Sequence, residues 1–140
     1  MHQKSFFKSI LWVSIFILPI SLFAQVLSPE QFLGYKVGTR FTRHHQIVSY
    51  FTAIAAAKPD MVKLIPYGKT NEGRDLMVAA IGTPENIKNL EQIRKHNLGL
   101  VQGTVQDLNQ PGIVWMSYNV HGNEPASSEA AMLTLFALVD

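Results

Sequence analysis

The sequence predicts an α/β fold in which helices flank a mixed parallel/antiparallel sheet. Three observations predict it: stretches with apolar residues at helical spacing, two strands joined by a polar, Gly-bounded connection, and a later strand that leads directly into a helix. The joined strands supply the antiparallel pairing. The later strand is apolar on both faces, which is typical of strands buried in an α/β sheet.

Residues 1–24 have the pattern of an export signal. Lys4 and Lys8 give a basic start, a long apolar run follows, and Ala24 is a small residue at which cleavage is expected. The run is too short to cross a bilayer comfortably, and Pro19 interrupts it. We therefore predict a signal peptide and an exported protein, periplasmic or extracellular. A retained membrane anchor is the alternative.

Charge and cysteine content exclude several classes of function. The chain has 12 basic and 10 acidic residues, and without the two lysines of the signal the numbers are equal. The neutral mature part has no basic cluster of the kind that binds nucleic acid or a membrane surface. The chain has no cysteine, which excludes disulfides, thiolate metal sites and a cysteine nucleophile. We expect no nucleic-acid partner and no membrane association after signal cleavage.

A helix is predicted over about His44 to Lys58. Its apolar residues recur at helical spacing and form one face, namely Ile47, Val48, Phe51, Ile54 and Ala55. Thr42 is the expected N-cap. The residues before it lack periodicity: Ser28-Pro29 opens a short turn, and Gly34 and Gly38 bracket an irregular stretch.

Two strands and a second helix are predicted next. Met61–Tyr67 and Leu76–Ile81 have strand-like composition, and the polar Gly68–Arg74 between them has the make-up of a hairpin connection. Pro84–His96 is expected to form an amphipathic helix, whereas Leu98–Gln110 is loop-like. This order of elements supports the α/β prediction.

The stretch Gly112–Pro125 contains the candidate site. Its nearly continuous apolar run predicts a buried strand, with Ile113, Val114, Trp115, Met116, Tyr118 and Val120. Gly122 ends the strand, and Pro125 suits the first turn of a following helix. The strand therefore presents His121 and Glu124 at its carboxyl end, where open α/β sheets bind their ligands.

His121 and Glu124 are the candidate metal ligands. Imidazole nitrogen and carboxylate oxygen are ordinary zinc ligands, and the turn allows both to converge on one cation. The alternative is structural: His121 ends a strand, and the carboxylate of Glu124 complements the dipole of the next helix. His44 and His45 are adjacent and cannot share a helix face, so we expect them in a solvated first turn rather than in a metal site.

The composition of residues 126–140 predicts a core helix that is apolar on most sides. Its apolar residues are Ala130, Ala131, Leu133, Leu135, Phe136, Leu138 and Val139. Such a helix needs neighbours on several faces, and this one reaches Asp140 without a glycine cap or a proline. We therefore expect residues 25–140 to be the N-terminal portion of a longer domain, whose missing C-terminal part is a partner of this portion.

Two motifs resemble those of zinc metallocarboxypeptidases of the carboxypeptidase A superfamily. Tyr67–Leu76 resembles that family's Gly-x-Ser/Thr-x-Glu-Gly-Arg-x-Leu/Ile hairpin. His121-Gly-Asn-Glu124 matches the His-x-x-Glu that the family carries at the end of a strand two elements later. Gly34–His45 and Ser117–Ala131 are similar to a bacterial exported branch of the family, so the resemblance covers nearly all of the mature chain.

The resemblance implies a zinc-dependent enzyme that hydrolyses C-terminal peptide bonds of peptide or protein substrates. It makes His121 and Glu124 the first two Zn²⁺ ligands, and gives Glu72 and Arg74 a structural role in the hairpin. The family's third ligand, catalytic Glu and carboxylate-binding Arg lie further downstream and have no counterpart here. The resemblance therefore implies no catalytic residue in this chain and no activity of the 140 residues alone. Asn123 stands where some members have a substrate-binding Arg.

Two other functions remain open. Zinc amidases and deacylases that act on murein peptides or N-acyl amino acids resemble the same superfamily, and their zinc sites also begin with His-Gly-x-Glu. The alternative of another class is a non-catalytic binding domain or an inactive truncated product. The residues that distinguish these functions are expected downstream of the region present here.

Overall fold

A computed structural model describes residues 26–140 of the chain, and the predicted signal peptide lies outside the described residues. The elements, in chain order, are α1 Pro29–Leu33, α2 His44–Ala57, β1 Val62–Lys69, β2 Asp75–Ile81, α3 Pro84–Lys88, α4 Leu90–Val101 and α5 Ala126–Val139. Within this range, no helix combines the length and the apolar character needed to cross a membrane.

Strands β1 and β2 form an antiparallel hairpin, as predicted. Val62 lies opposite Ile81, and the register shifts between Pro66 and Gly68. Pro66 has no N–H to donate to the ladder, so an irregularity at this point sacrifices little hydrogen bonding. The sheet formed by the described residues has these two strands only. Helices and a small antiparallel sheet are thus present, whereas the predicted parallel strands are not seen between residues 26 and 140.

Helices α2 and α5 and strand β1 enclose the core. Its buried residues are Tyr50, Ile54, Val62, Met132, Leu135 and Val139. Half of this set comes from α5, which confirms the prediction that residues 126–139 form a core helix. Full burial of each large apolar side chain stabilises the fold by about 1.5–3 kcal/mol, so α5 is a main source of stability.

Tyr50 is the aromatic centre of this core. Its side chain is fully buried, and its ring lies 5.2 Å from that of Phe32 in an edge-to-face arrangement. The hydroxyl donates to the carbonyl oxygen of Leu27 at 3.0 Å. Burial, together with the charge of Asp140, raises the pKa of Tyr50 to about 12. The hydroxyl therefore remains protonated at neutral pH and keeps its hydrogen bond.

The residues before α2 differ in two respects from the prediction. A short helix, α1, forms where a turn is predicted, because Ser28 and Gln31 cap each other's backbone N–H groups at 3.2 and 2.9 Å. Thr42 is the expected cap of α2, but Arg43 occupies that position. Thr42 is buried instead, and its hydroxyl donates to Glu129 on α5. Thr42 thus bonds to a distant side chain on α5 instead of to the nearby backbone of α2.

The second predicted amphipathic helix is divided in two. Asn89, with φ −99° and ψ 14°, separates α3 from α4. Helix α4 then continues to Val101, beyond the predicted end and into residues predicted to be a loop. Gly99 lies in this extension and is buried under the side chain of Val105, which folds back onto the helix. The extension therefore depends on a contact that helical periodicity does not reveal.

Residues 112–120, predicted to be a buried strand, have no regular secondary structure. Their apolar side chains are largely exposed, including Val114 at 82% and Trp115 at 71%. A strand needs a hydrogen-bonded neighbour, and among the described residues β1 and β2 pair only with each other. The segment is attached to α5 through the Tyr118 hydroxyl, which donates to Thr134 Oγ1 at 2.9 Å.

The packing of α5 leads to a test with a matched pair of variants. Leu135 is 1% exposed and Leu133 is 44% exposed on the same helix. We expect Leu135→Ala to lower the free energy of unfolding by about 2–5 kcal/mol, because it leaves a cavity in the core. Leu133→Ala should change it by about 0.5 kcal/mol or less. Urea unfolding followed by circular dichroism measures both, and equal losses would contradict the described packing.

Candidate metal centre

The turn that precedes α5 brings His121 and Glu124 together. The Nδ1 atom of His121 lies 3.1 Å from Oε1 of Glu124. The Glu124 N–H donates to the His121 carbonyl oxygen at 3.2 Å and closes the turn. Asn119 has a φ of 56°, in the left-handed region that Asn tolerates better than most residues. The backbone therefore reverses within a few residues and directs both side chains to one point.

The separation of the two side chains fits a shared zinc ion. Two ligand atoms bound to one tetrahedral zinc lie about 3.3 Å apart, close to the observed 3.1 Å. Both side chains are exposed, at 69% for His121 and 55% for Glu124, so an ion can reach them without disturbing the core. With the proton on Nδ1, His121 donates to the Glu124 side chain. A metal ion held by these two atoms would take the place of that proton.

Two ligands do not complete a catalytic zinc site, which uses three protein ligands and an open position. Among residues 26–140, no group of three or more His, Cys, Asp or Glu side chains is placed to hold a metal ion. His44 contacts the Asp75 carbonyl oxygen at 3.2 Å, and His96 contacts that of Asp107 at 2.7 Å. His44 and His45 are exposed in the first turn of α2, as predicted.

Comparison with known proteins identifies the family. The sequence model of the zinc carboxypeptidase family matches residues 47–140. The chain belongs to the zinc carboxypeptidase family. The match confirms the resemblance inferred from the two motifs, since it includes both the hairpin and the turn with His121 and Glu124. No curated protein and no solved structure matches the chain.

Helix α5 positions the pair within this member of the zinc carboxypeptidase family. The Glu124 carbonyl oxygen accepts from the Ser127 N–H at 3.3 Å, so a turn that starts at Glu124 leads directly into the helix. Pro125 follows with φ −67°, which its ring keeps near that value. On the other side of the turn, Tyr118 is bonded to Thr134 of the same helix. Both candidate ligands therefore depend on where α5 lies.

The hairpin motif of this family member is stabilised by contacts among its own residues. The Thr70 N–H donates to the Arg74 carbonyl oxygen at 2.9 Å, and Gly73 has a φ of 77°. Arg74 and Glu72 form an ion pair at 2.5 Å, with both side chains more than half exposed. Exposed pairs contribute little to stability. These contacts within the connection fit the structural role that the resemblance implies for Glu72 and Arg74.

Glu129 is a residue that the sequence analysis does not single out. It lies on α5 and is 5% exposed, and its carboxylate accepts from the Thr42 hydroxyl at 2.5 Å and from the Gly38 N–H at 2.6 Å. The sequence does contain an indication, because an acidic residue within an apolar core helix needs buried hydrogen-bond partners. The identity of these partners could not be predicted from the sequence, since they lie 87 and 91 residues earlier in the chain.

A cavity of about 630 Å³ lies between α2, the hairpin, residues 114–119 and α5. Gly122 and Pro125 of the turn line it, whereas His121 and Glu124 do not. The cavity is therefore next to the turn, and neither candidate ligand lines it. Its walls combine apolar side chains of α2 and β2 with polar ones such as Arg74.

The hairpin connection can be tested through its backbone alone. A Cβ added at Gly73 or at Gly112 would meet no atom within 4 Å, but only Gly73 has a left-handed φ. We expect Gly73→Ala to lower the free energy of unfolding by about 1–2 kcal/mol, because an L-residue is strained in that conformation. The control Gly112→Ala should leave it unchanged or raise it slightly. Thermal unfolding of both variants gives the comparison, and equal effects would argue against the described turn.

Proposed function

We propose that this chain carries the first two zinc ligands of an exported metallocarboxypeptidase that hydrolyses C-terminal peptide bonds of peptides or proteins. The observation that carries the proposal is the 3.1 Å separation of His121 Nδ1 and Glu124 Oε1, within the region that matches the zinc carboxypeptidase family. Family membership supports a peptidase, and the geometry of the pair supports the metal. Export is supported by the pattern of residues 1–24.

His121 and Glu124 would hold a zinc ion, which would supply Lewis-acid polarisation of a carbonyl and a lowered pKa of a bound water. His121 contributes a neutral imidazole and Glu124 one negative charge, so these two ligands leave the site with a net positive charge. The exposure of both side chains leaves room for further ligands and for substrate.

We further infer that the mixed sheet forms when residues 112–120 gain strand neighbours. The segment is rich in strand-forming residues and exposes Val114, Trp115 and Val120 at 70% or more. An exposed apolar run with unpaired backbone groups is a surface for pairing with another strand. This supports the view that residues 25–140 are the N-terminal portion of a catalytic domain. Its C-terminal part would supply the third ligand, the general base and the group that binds the substrate carboxylate.

A second candidate function is a zinc amidase or deacylase of the same superfamily. The observation that favours it is Asn123, an uncharged residue between the two candidate ligands. Some members of the family have a substrate-binding Arg at that position, so this contact with a peptide substrate is absent here. The scissile bond would then be an amide in a murein peptide or an N-acyl amino acid.

The metal site is tested first by zinc titration of the full chain. We expect about one zinc ion to bind, weakly because only two ligands are present, and His121→Ala and Glu124→Gln each to lower the affinity at least about tenfold. His96→Ala is the matched control, because it removes a His that contacts a carbonyl oxygen elsewhere. Isothermal titration calorimetry measures the affinities. Equal affinities of the His121→Ala variant and the unaltered chain would exclude His121 as a ligand.

The reaction is tested with the protein encoded when the coding DNA is read past codon 140. We expect it to release C-terminal amino acids from peptides, and a zinc chelator or His121→Ala to abolish the release, since both remove the metal. Peptides with an amidated C-terminus are the control, because a carboxypeptidase recognises the free carboxylate. Cleavage of N-acyl amino acids or murein peptides, without release of C-terminal residues, would establish the amidase or deacylase instead.

A further inference from the structure

Glu129 provides a carboxylate in the interior that the proposed chemistry does not use. It is 5% exposed, and the salt bridges formed by residues 26–140 do not include it. Its side chain accepts hydrogen bonds instead, from the Gly38 N–H to Oε2 at 2.6 Å and from the Thr42 hydroxyl to Oε1 at 2.5 Å. Such partners matter because a polar group buried without them costs free energy.

The donor in each hydrogen bond of this network follows from the number of protons available. Thr42 has a single hydroxyl proton, which it donates to Glu129. The contact between the Tyr35 hydroxyl and Thr42 Oγ1, at 2.8 Å, must therefore have Tyr35 as its donor. Bonds in such a chain polarise and strengthen one another. The guanidinium of Arg40 lies 4.4 Å from the centre of the Tyr35 ring and covers it. Residues 35–42 are thus joined to α5 through one carboxylate.

The two ends of α5 are stabilised by different interactions. Met132, Leu135 and Val139, toward the C-terminal end, are at most 2% exposed and belong to the apolar core. At the other end, Ala126 and Ala130 are exposed, and burial is limited to small or polar side chains. Apolar burial therefore stabilises the end remote from the candidate ligands. The end that follows Glu124 depends on the hydrogen bonds of Glu129.

The position of this first turn directly determines the position of Glu124. The Glu124 carbonyl oxygen accepts from the Ser127 N–H, and Pro125, which lies between these two residues, has little freedom in φ. A shift of the turn must therefore move the Glu124 backbone. His121 responds as well, because the Glu124 N–H is bonded to its carbonyl oxygen. A displacement of about 1 Å is enough to weaken a metal site.

We propose that Glu129 is a positioning residue for the metal pair: through Gly38 and Thr42 it fixes the first turn of α5 and thereby the 3.1 Å separation of His121 and Glu124. This inference rests on the proposed function, since it assumes that the pair binds zinc. Gly38 and Thr42 precede residues 47–140, which match the family. The support of the site therefore comes partly from a segment outside the matched region.

The test measures zinc affinity and the free energy of unfolding of the full chain and four variants. Glu129→Ala removes the carboxylate, and Thr42→Val removes one donor with little change in shape. Glu129→Gln keeps an acceptor for Gly38 and can donate to Thr42, so it is the conservative variant. Tyr50→Phe is the matched control, because it removes a hydroxyl bonded to the Leu27 carbonyl oxygen, away from the first turn.

We expect Glu129→Ala and Thr42→Val to lower zinc affinity at least about tenfold, as loss of groups that orient metal ligands does. Glu129→Gln should retain most of the affinity, and Tyr50→Phe all of it despite lower stability. Hydrogen exchange of the Ser127 and Ser128 amides provides a readout without metal. Exchange should be faster in Glu129→Ala and Thr42→Val than in Tyr50→Phe. If Glu129→Ala does not fold, Thr42→Val and Glu129→Gln carry the same comparison.

Three outcomes would overturn the inference, and they are distinguishable. If His121→Ala lowers zinc affinity but Thr42→Val and Glu129→Ala lower only stability, Glu129 is structural and the proposed function stands. If zinc binds equally well to the unaltered chain and to His121→Ala, the proposed function fails and the inference fails with it. Unchanged exchange at Ser127 and Ser128 in the Thr42→Val variant would also overturn the inference.

Discussion

The need to bury α5 is the constraint on which the rest of the structure depends. This helix is apolar on most sides, and only neighbours on several faces can remove it from water. Helix α2 and strand β1 contribute Tyr50, Ile54 and Val62 to the core that covers it. The turn with His121 and Glu124 leads directly into this helix. The placement of the candidate metal centre is therefore a consequence of core packing.

Apolar and polar interactions have separate roles along α5. Apolar burial is strong but non-directional, and it acts mainly on the C-terminal part of the helix. It therefore leaves the details of the first turn to other contacts. The hydrogen bonds that Glu129 accepts from Gly38 and Thr42 are directional and short. They act at the end of the helix where the geometry of two side chains matters most. The position of an exposed ligand pair can therefore depend on buried polar contacts although the pair contributes nothing to the core.

In residues 112–120 the composition favours a β-strand, but no neighbouring strand is present among the described residues to pair with it. The segment has the apolar, β-branched and aromatic residues of a strand, yet it lacks strand pairing and exposes Trp115 at 71%. A strand obtains its hydrogen bonds from a neighbour, whereas a helix obtains them from itself. For a member of the zinc carboxypeptidase family, this segment is where we expect the sheet to extend beyond β1 and β2.

The sequence by itself determined the features whose causes are local. The spacing of apolar residues located α2 and α5, the Gly-bounded polar connection located the hairpin, and two residues three positions apart defined the candidate pair. Only the tertiary structure decided that Thr42 bonds to Glu129 rather than caps α2, and that residues 112–120 remain unpaired. The physical reason is that these outcomes depend on partners far away in the chain, and no pattern within one segment specifies its distant partner.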